Sequence, residues 1–424
     1  AEALPQRRLA VAGAEAAVDG QVDAVHPDRV LAGQESDHGG DFLRVVLEEL
    51  SHTRWVIKLR EQRIPGATPG HAGGVWLSQR ERARTCANEE GVRVASELSP
   101  PGPSIAFAVG ETRKPPPRYW RSTTEIPSGP ATQPLDGVRI AIDPGHIGGE
   151  WARMEKRGYQ IEDTTPVPEG DMTLLTAKLL APRLESLGAT VTLVRSANEP
   201  VTELRPEDLM EYATRLMPAA PAEEIHALAE QLFYRTAEIR ARATLVNETI
   251  KPDLVLCLHF NAEDWGKDPT SPRFSPRNHF HMILHGAYMD GEIAHEDERL
   301  ELMHKIFQKV HQEEASLASA LTDAFLEDTR LPAYVYRLGK PARRIAPALW
   351  ARNLLANRLY QCPVLFCEPY VMNNEIVHAR VQAGDYEGEM EVAGTIRKSL
   401  YREYRDAVVK GLVNYYSSRD KSEL

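Results

Sequence analysis

The chain has 424 residues, 42% of them hydrophobic and 26% charged, which is enough for one large globular domain with insertions or for two domains. Its formal net charge of −11 argues against nucleic-acid binding, which needs a basic face, and against long-range attraction to an anionic polymer. No stretch approaches the roughly 18 to 20 apolar residues that span a bilayer, and Glu15 and Asp19 interrupt the apolar run after Arg7-Arg8, so no clear signal peptide is read.

Residues 1–98 show clear apolar patterning only at Phe42–Leu50 and its continuation near Trp55–Leu59. They read as a region of low order or a small accessory unit. Residues 99–134 hold PPGP, KPPP, PSGP and QP, a density of proline that favours extended chain, and read as a linker. PRYW at Pro117–Trp120 is placed to pack its aromatics onto the domain that follows, residues 135–418.

That domain opens with VRIAIDPGHIGGE, Val138–Glu150. Apolar residues alternate into Asp-Pro-Gly, a strand running into a turn. His146 then stands at the strand's carboxyl end, the edge where open α/β sheets bind ligands. It is either a metal ligand or a hydrogen-bonded loop histidine. Asp171 is expected to cap a helix over Met172–Leu187, kinked at Pro182. Ala189–Arg195 follows as a second strand, and strand–helix–strand order implies a parallel sheet.

A helical insertion at Glu207–Phe233 and a helix at Tyr234–Ile250 lead into the strand Asp253–Phe260, which delivers His259 and Asn261. Beyond the polar loop Asp264–Arg277, Asn278–His285 alternates as a strand. Helices are expected over Leu300–Glu327, Ala346–Tyr360 and Thr395–Tyr416, and Pro363–Glu368 reads as a strand ending in Glu368. The fold class is α/β: a three-layer, twisted, mostly parallel sheet flanked by helices, with helical insertions. Cys86, Cys257, Cys362 and Cys367 show no zinc-finger spacing, and no disulfide framework is expected.

Two histidines and two acids, His146, Glu169, His259 and Glu368, thus fall at the ends of core elements, the inventory of a hydrolytic zinc site. IDPGH, then E-x-D opening a helix, then LHFNA, then a strand ending in Glu with Asn-Asn-Glu beyond it occur in that order. The series resembles the zinc-dependent N-acetylmuramoyl-L-alanine amidases of the amidase type 3 family, over about Leu135 to Tyr416 and with large insertions. The resemblance implies hydrolysis of the amide between N-acetylmuramic acid and L-alanine, Zn2+ as cofactor, and peptidoglycan or muropeptides as substrate. It also implies a location in the cell envelope, periplasmic or extracellular.

On this reading His146, Glu169 and His259 are the metal ligands and Glu368 is the general base. Glu150 and Glu155 are rivals for the position of Glu169. Glu155 is followed by RGYQ, whereas Glu169-Gly170-Asp171 keeps the second acid and the helix, with Gly170 where family members carry lysine or arginine. A bland reading of Glu368 is an ion pair with Arg195 or Arg380. Arg242 and Asn247 match residues that family members carry and read as structural. Asn261, Arg242 and His281 are the candidates for substrate or supporting contacts. His279, His281 and His285 read mainly as packing and hydrogen-bonding residues, and His295, His304 and His311 as solvated.

The insertion Asp264–Ala346 joins the His259 strand to the Glu368 strand, so its helical part is expected to modulate access to the cleft. Rival functions are a zinc peptidase or amidohydrolase on another substrate, and a non-catalytic cell-wall-binding protein. Retention of both Glu169 and Glu368 argues against the last, because binding alone needs no base.

Overall fold

The computed structural model describes residues 118–264, 272–287, 301, 304–336, 342–352 and 354–418, and four strands nearer the N-terminus. Those four, β1 (Phe42–Ser51), β2 (Arg54–Gln62), β3 (Val92–Leu98) and β4 (Pro103–Val109), form an antiparallel sheet in the order β1-β2-β4-β3. The strands β1 and β2 are the apolar runs visible in the sequence. By contrast, β4 lies inside the span expected to be a linker. Its Ile105, Phe107 and Val109 alternate with small residues, and Pro103 takes the first position, where a missing donor is tolerated.

From Arg139 the chain builds β5 (Arg139–Pro144), a short helix α1 (Ala152–Glu155) and a small strand pair, β6 (Gly158–Tyr159) with β7 (Val167–Pro168). Helix α2 (Glu169–Glu185) and strand β8 (Thr190–Leu193) follow. Next come α3 (Met210–Leu216), α4 (Ala222–Leu232) and α5 (Glu238–Thr244), then β9 (Leu254–Leu258), β10 (Phe280–Leu284) and α6 (Val310–Thr329). The chain closes through β11 (Arg343–Ala346), β12 (Leu349–Ala351), α7 (Leu355–Leu359), β13 (Val364–Pro369), α8 (Glu375–Gln382), the hairpin β14 (Met390–Val392) and β15 (Thr395–Arg397), and α9 (Leu400–Ser417).

Seven strands make the central sheet, in the order β11-β12-β10-β13-β9-β5-β8. The pairs β13·β9, β9·β5, β5·β8 and β10·β12 are parallel; β10·β13 and β11·β12 are antiparallel. The mostly parallel α/β sheet expected from the sequence is thus present. One face carries Ile140, Ile142, Leu254, Leu256 and Leu365, covered by α2, α6 and α9. The other carries Ala141, Val255, Cys257, Val364 and Phe366, covered by the helix that includes α5, by α7 and by Trp120. Period-two alternation sorts these side chains onto two buried faces.

Several boundaries depart from expectation. Helix α2 begins at Glu169, and Asp171 does not cap it: its carboxylate turns back to accept the Gly149 N–H at 2.6 Å and an Asn198 amide at 2.8 Å. The helix ends at Glu185, two residues short of the expected Leu187. The stretch expected as a helix over Ala346–Tyr360 is instead a turn, β12 and the short α7, because Pro347 and a left-handed Ala348 (φ 58°) reverse the chain. Thr395–Arg397 is a strand, turned by Ala393-Gly394 at φ 51° and 71°, as two-residue hairpins require. Left-handed Lys309 (φ 55°) precedes α6, so that helix starts at Val310. Nor is α6 a lid. Leu317, Leu321 and Phe325 lie in the core on the sheet face shared with α2 and α9, and Gly411 of α9 leaves no room for a Cβ, which would meet the Leu321 Cα at 2.7 Å.

Residues 118–123 are tied to the domain. Trp120 is buried and donates its indole N–H to Gln308 at 3.0 Å. Asp253, at the entry to β9, accepts from Arg121 at 2.7 Å and from Arg139 at 2.7 Å. Both arginines hold the Asp253 carboxyl below the usual range, against the burial that would raise it. A depressed folded-state pKa contributes stability above the unfolded value near 3.9 and loses it as pH falls through the folded value. Asp253→Asn is therefore expected to cost about 1.5 to 3 kcal/mol at pH 7, the range for hydrogen bonds to a charged group, with the gap to wild type closing below about pH 4. Urea melts across pH test this; a gap independent of pH would remove the ion pair as its cause. Cys257, Cys362 and Cys367 are free and buried, and burial pushes the Cys362 thiol up to about 12. Among the described residues no helix is long and apolar enough to cross a membrane.

Candidate metal centre and active site

Because β5, β9 and β13 are parallel, their carboxyl ends share one edge of the sheet. That edge receives the IDPGH loop from β5, His259 from β9 and Glu368 from β13. Helix α2 points its N-terminus at the same edge and brings Glu169. A carboxylate in a helix's first turn is favoured by the helix dipole.

His146, Glu169 and His259 meet there, each with a ligand atom within 4.8 Å of the others. His146 Nε2 stands 3.2 Å from Glu169 Oε2, and His259 Nδ1 stands 3.3 Å from Glu169 Oε1. The imidazoles are edge to face, with ring centres 5.1 Å apart. His146 Nε2 and Glu169 Oε2 are buried and make no hydrogen bond. A tetrahedral cation with bonds of about 2.0 to 2.1 Å keeps its donors about 3.3 to 3.4 Å apart. The donor set, its closeness and the orphaned buried atoms fit one metal ion.

The charge state follows from the same contacts. Burial opposes the charged form of Glu169, yet the two histidines hold its carboxyl well below the ordinary range. Burial also lowers His146, but Glu169 and Glu155 outweigh it and the net shift is upward. Burial, with His146 beside it, outweighs Glu169 and Asp143 at His259, which is lowered. A carboxylate with two imidazoles is thus ready to exchange a proton for a metal.

Each donor is held from behind. His146 has φ 60°, a strained conformation for a residue with a Cβ. Arg242 fixes it by donating to the His146 carbonyl at 2.8 Å and the Pro144 carbonyl at 2.9 Å. The same guanidinium pairs with Asp143 at 2.9 Å and Glu238 at 2.7 Å, and Tyr360 donates to Asp143 at 2.6 Å. Glu169 Oε1 accepts the Phe260 N–H at 3.1 Å, which orients the carboxylate. The His259 ring stacks on Phe366, with centres 5.4 Å apart, and rests over Gly145.

A Cβ at Gly145 would come within 2.5 Å of both His259 ring nitrogens. Gly145→Ala is accordingly expected to displace that ring and lower metal affinity at least 10- to 100-fold, the range seen when groups supporting a ligand are changed. Unchanged metal stoichiometry under chelator competition would contradict it.

Gly170 has a physical reason of its own: a Cβ there would meet the Gly148 Cα at 2.5 Å. The metal loop and the start of α2 are in backbone contact, and the lysine or arginine of the resembled family has no room.

Glu368 is buried at the end of β13, opposite His281 of β10 and on the sheet face of Phe366, the residue against His259. The two arginines weighed as its partners are engaged elsewhere. Arg195 donates to the carbonyls of Pro144 at 3.1 Å and Gly170 at 2.6 Å, and Arg380 pairs with Glu403 at 3.1 Å. Burial, with Arg242 nearby, pushes the Arg195 guanidinium down to about 9.

Asn261 and His281 bond each other at 3.1 Å, and His281 Nε2 lies 3.1 Å from the Tyr336 hydroxyl. Protein groups thus occupy both His281 nitrogens. His279 bonds Glu263 at 2.9 Å. Asn374 caps α8 through the N–H groups of Ile376 and Val377, and Asn373 accepts the Glu263 N–H at 3.0 Å. The Asn-Asn-Glu stretch therefore anchors loops. Asn247 accepts from Tyr119 and from the Gln361 N–H, a structural role.

Glu155, set aside as a rival ligand, stands 3.6 Å from His146 Nδ1 and accepts the Ile147 N–H at 3.0 Å. It backs the ring so that Nε2 faces the other donors. Glu150 is exposed. The sequence signal for Glu155 was the pair Glu155-Lys156, which pointed to a rival ligand rather than to a support behind His146.

A cavity of about 110 Å³ opens beside the cluster, lined by His146, His259, Arg157, Tyr234, Arg235 and Phe366 among others.

No protein-family model and no curated protein matches the chain. Solved structures similar to it include the N-acetylmuramyl-L-alanine amidase Ami1 of Mycobacterium smegmatis, 15% identical over 67% of this chain and 99% of that one, with a TM-score of 0.37. The apo form of Ami1 from Mycobacterium abscessus is 17% identical over 66% of this chain and 99% of that one, with a TM-score of 0.35. The CwlD amidase of Clostridioides difficile, solved with the GerS lipoprotein, is 14% identical over 66% of this chain and 99% of that one, with a TM-score of 0.36.

Proposed function

We propose that the protein is a zinc-dependent hydrolase of the amide between N-acetylmuramic acid and L-alanine in peptidoglycan. The observation that carries this is the meeting of His146, Glu169 and His259 at one sheet edge, each offering a ligand atom within 4.8 Å of the others. Two nitrogens and one carboxylate oxygen leave a fourth position open, as catalytic zinc sites do. When bound, zinc there would polarise the amide carbonyl and ease the deprotonation of water. Glu368 takes the proton from the attacking water and returns it to the leaving nitrogen of L-alanine. Arg242, Glu155 and Gly145 keep the donors in place through that exchange. The substrate class comes from the order of the four motifs, since a peptidase could share the metal chemistry. On this reading the protein works in the cell envelope on peptidoglycan or its muropeptide fragments. The purified protein is expected to hold one zinc per chain. A chelator should abolish hydrolysis of purified muropeptides, and zinc should restore it. Full activity in verified metal-free protein would overturn the proposal.

A further inference from the structure

We propose that Arg157 is a catalytic residue of this site, and that its guanidinium binds the carbonyl oxygen of the scissile amide and the negative charge that collects on it. The inference rests on the hydrolase reading above. Arg157 follows α1, and its side chain is only 9% exposed. It lines the same cavity as His146 and His259. Its Nε lies 3.8 Å from Glu169 Oε2, beyond hydrogen-bond range, and makes no hydrogen bond. Its Nη1 reaches only sideways, to the Lys156 carbonyl at 3.2 Å.

The acids around the cavity are committed to other partners. Asp143 and Glu238 hold Arg242, Glu238 also accepts the Thr202 N–H at 3.0 Å, and Glu155 holds the Ile147 amide. A buried cation with an unused donor carries a desolvation cost. An oxygen that becomes anionic in the cavity would offset that cost, and most strongly in the transition state.

The step balances without further reactants. The water oxygen bonds to the carbonyl carbon, and the π pair moves onto the carbonyl oxygen, where the Arg157 N–H groups meet it. As the pair returns, the C–N bond breaks and Glu368 delivers the proton to nitrogen. Arg157 acts here only as a hydrogen-bond donor and neither gains nor loses a proton.

The rival role is a tether for Glu169, which would show as loss of metal. The test uses the full chain, zinc-loaded, as wild type, Arg157→Gln and Arg157→Lys. It reads zinc stoichiometry, Tm, kcat and KM on a muropeptide. Calorimetry adds the affinity for a phosphinate isostere of N-acetylmuramoyl-L-alanine, whose tetrahedral anion mimics the charge. Zinc and Tm should hold and KM should change little. For Arg157→Gln, kcat should fall about 10²- to 10³-fold, phosphinate affinity should fall with it, and Arg157→Lys should recover part of both. Loss of zinc in both variants, a rise in KM alone, or unchanged kcat and phosphinate affinity would each overturn the inference. If zinc-loaded wild type leaves muropeptides intact, the hydrolase reading itself fails. The phosphinate arm then judges Arg157 alone: binding lost in Arg157→Gln retains its anion-binding role, and equal binding removes it.

Discussion

His259→Ala is expected to strip the metal. On the proposed reading His259 contributes one of three donors, and its Nδ1 lies 3.3 Å from the Glu169 carboxylate. Two protein donors would remain, so affinity should fall by orders of magnitude. The loss should also appear in stability, because the folded state assembles the site and metal binding is coupled to folding. Wild-type protein should lose Tm when a chelator is added, whereas His259→Ala should start lower and respond little. Zinc stoichiometry after dialysis against a weak chelator gives the direct reading. Retention of one zinc by His259→Ala would take this histidine out of the ligand set.

Glu368→Gln should fail in a different way. The substitution keeps shape and hydrogen-bonding capacity at a buried strand end, so the fold and the three donors should be undisturbed. The amide cannot accept a proton from water. General acid–base catalysis typically contributes about 10²- to 10⁴-fold, and kcat should drop by that much while zinc remains bound. If Glu368→Gln sheds zinc as completely as His259→Ala, then Glu368 is a ligand and the role of Glu169 has to be reassigned.

The two histidines among the metal-ligand candidates were legible because each sits where an apolar run ends, and Glu169 because it opens a helix with apolar patterning. Ile140 and Ile142 before Asp-Pro-Gly mark the end of β5, and the uniformly apolar Leu254–Leu258 marks β9. Strand ends are readable from burial, and parallel strands share an edge, so convergence of His146 and His259 followed from the order of elements. What holds them was less legible. The contact of the His259 ring with Gly145 depends on two residues 114 positions apart in the chain (259 minus 145), and nothing local announces it. Arg242 reaches Asp143, 99 positions away, across the same gap.

The misread stretches have local causes. Ala346–Tyr360 contains good helix formers, but Pro347 and the left-handed Ala348 turn it, and pairing to β10 makes Leu349–Ala351 a strand. Tertiary pairing overrode propensity there. Asp171 has the ideal chemistry for a cap, yet its carboxylate is better used to pin the Gly149 amide of the metal loop. The proline-rich span concealed β4 because prolines flank Ser104–Val109 and none falls within it.

Mass spectrometry of muropeptides after digestion with zinc-loaded protein tests the central claim most directly. Free stem peptides beginning with L-alanine, together with N-acetylmuramic acid bearing an intact lactyl carboxylate, are the result expected of His146, Glu169, His259 and Glu368 acting together. Peptides cut at any other bond, or muropeptides left whole by protein that verifiably holds zinc, would contradict it.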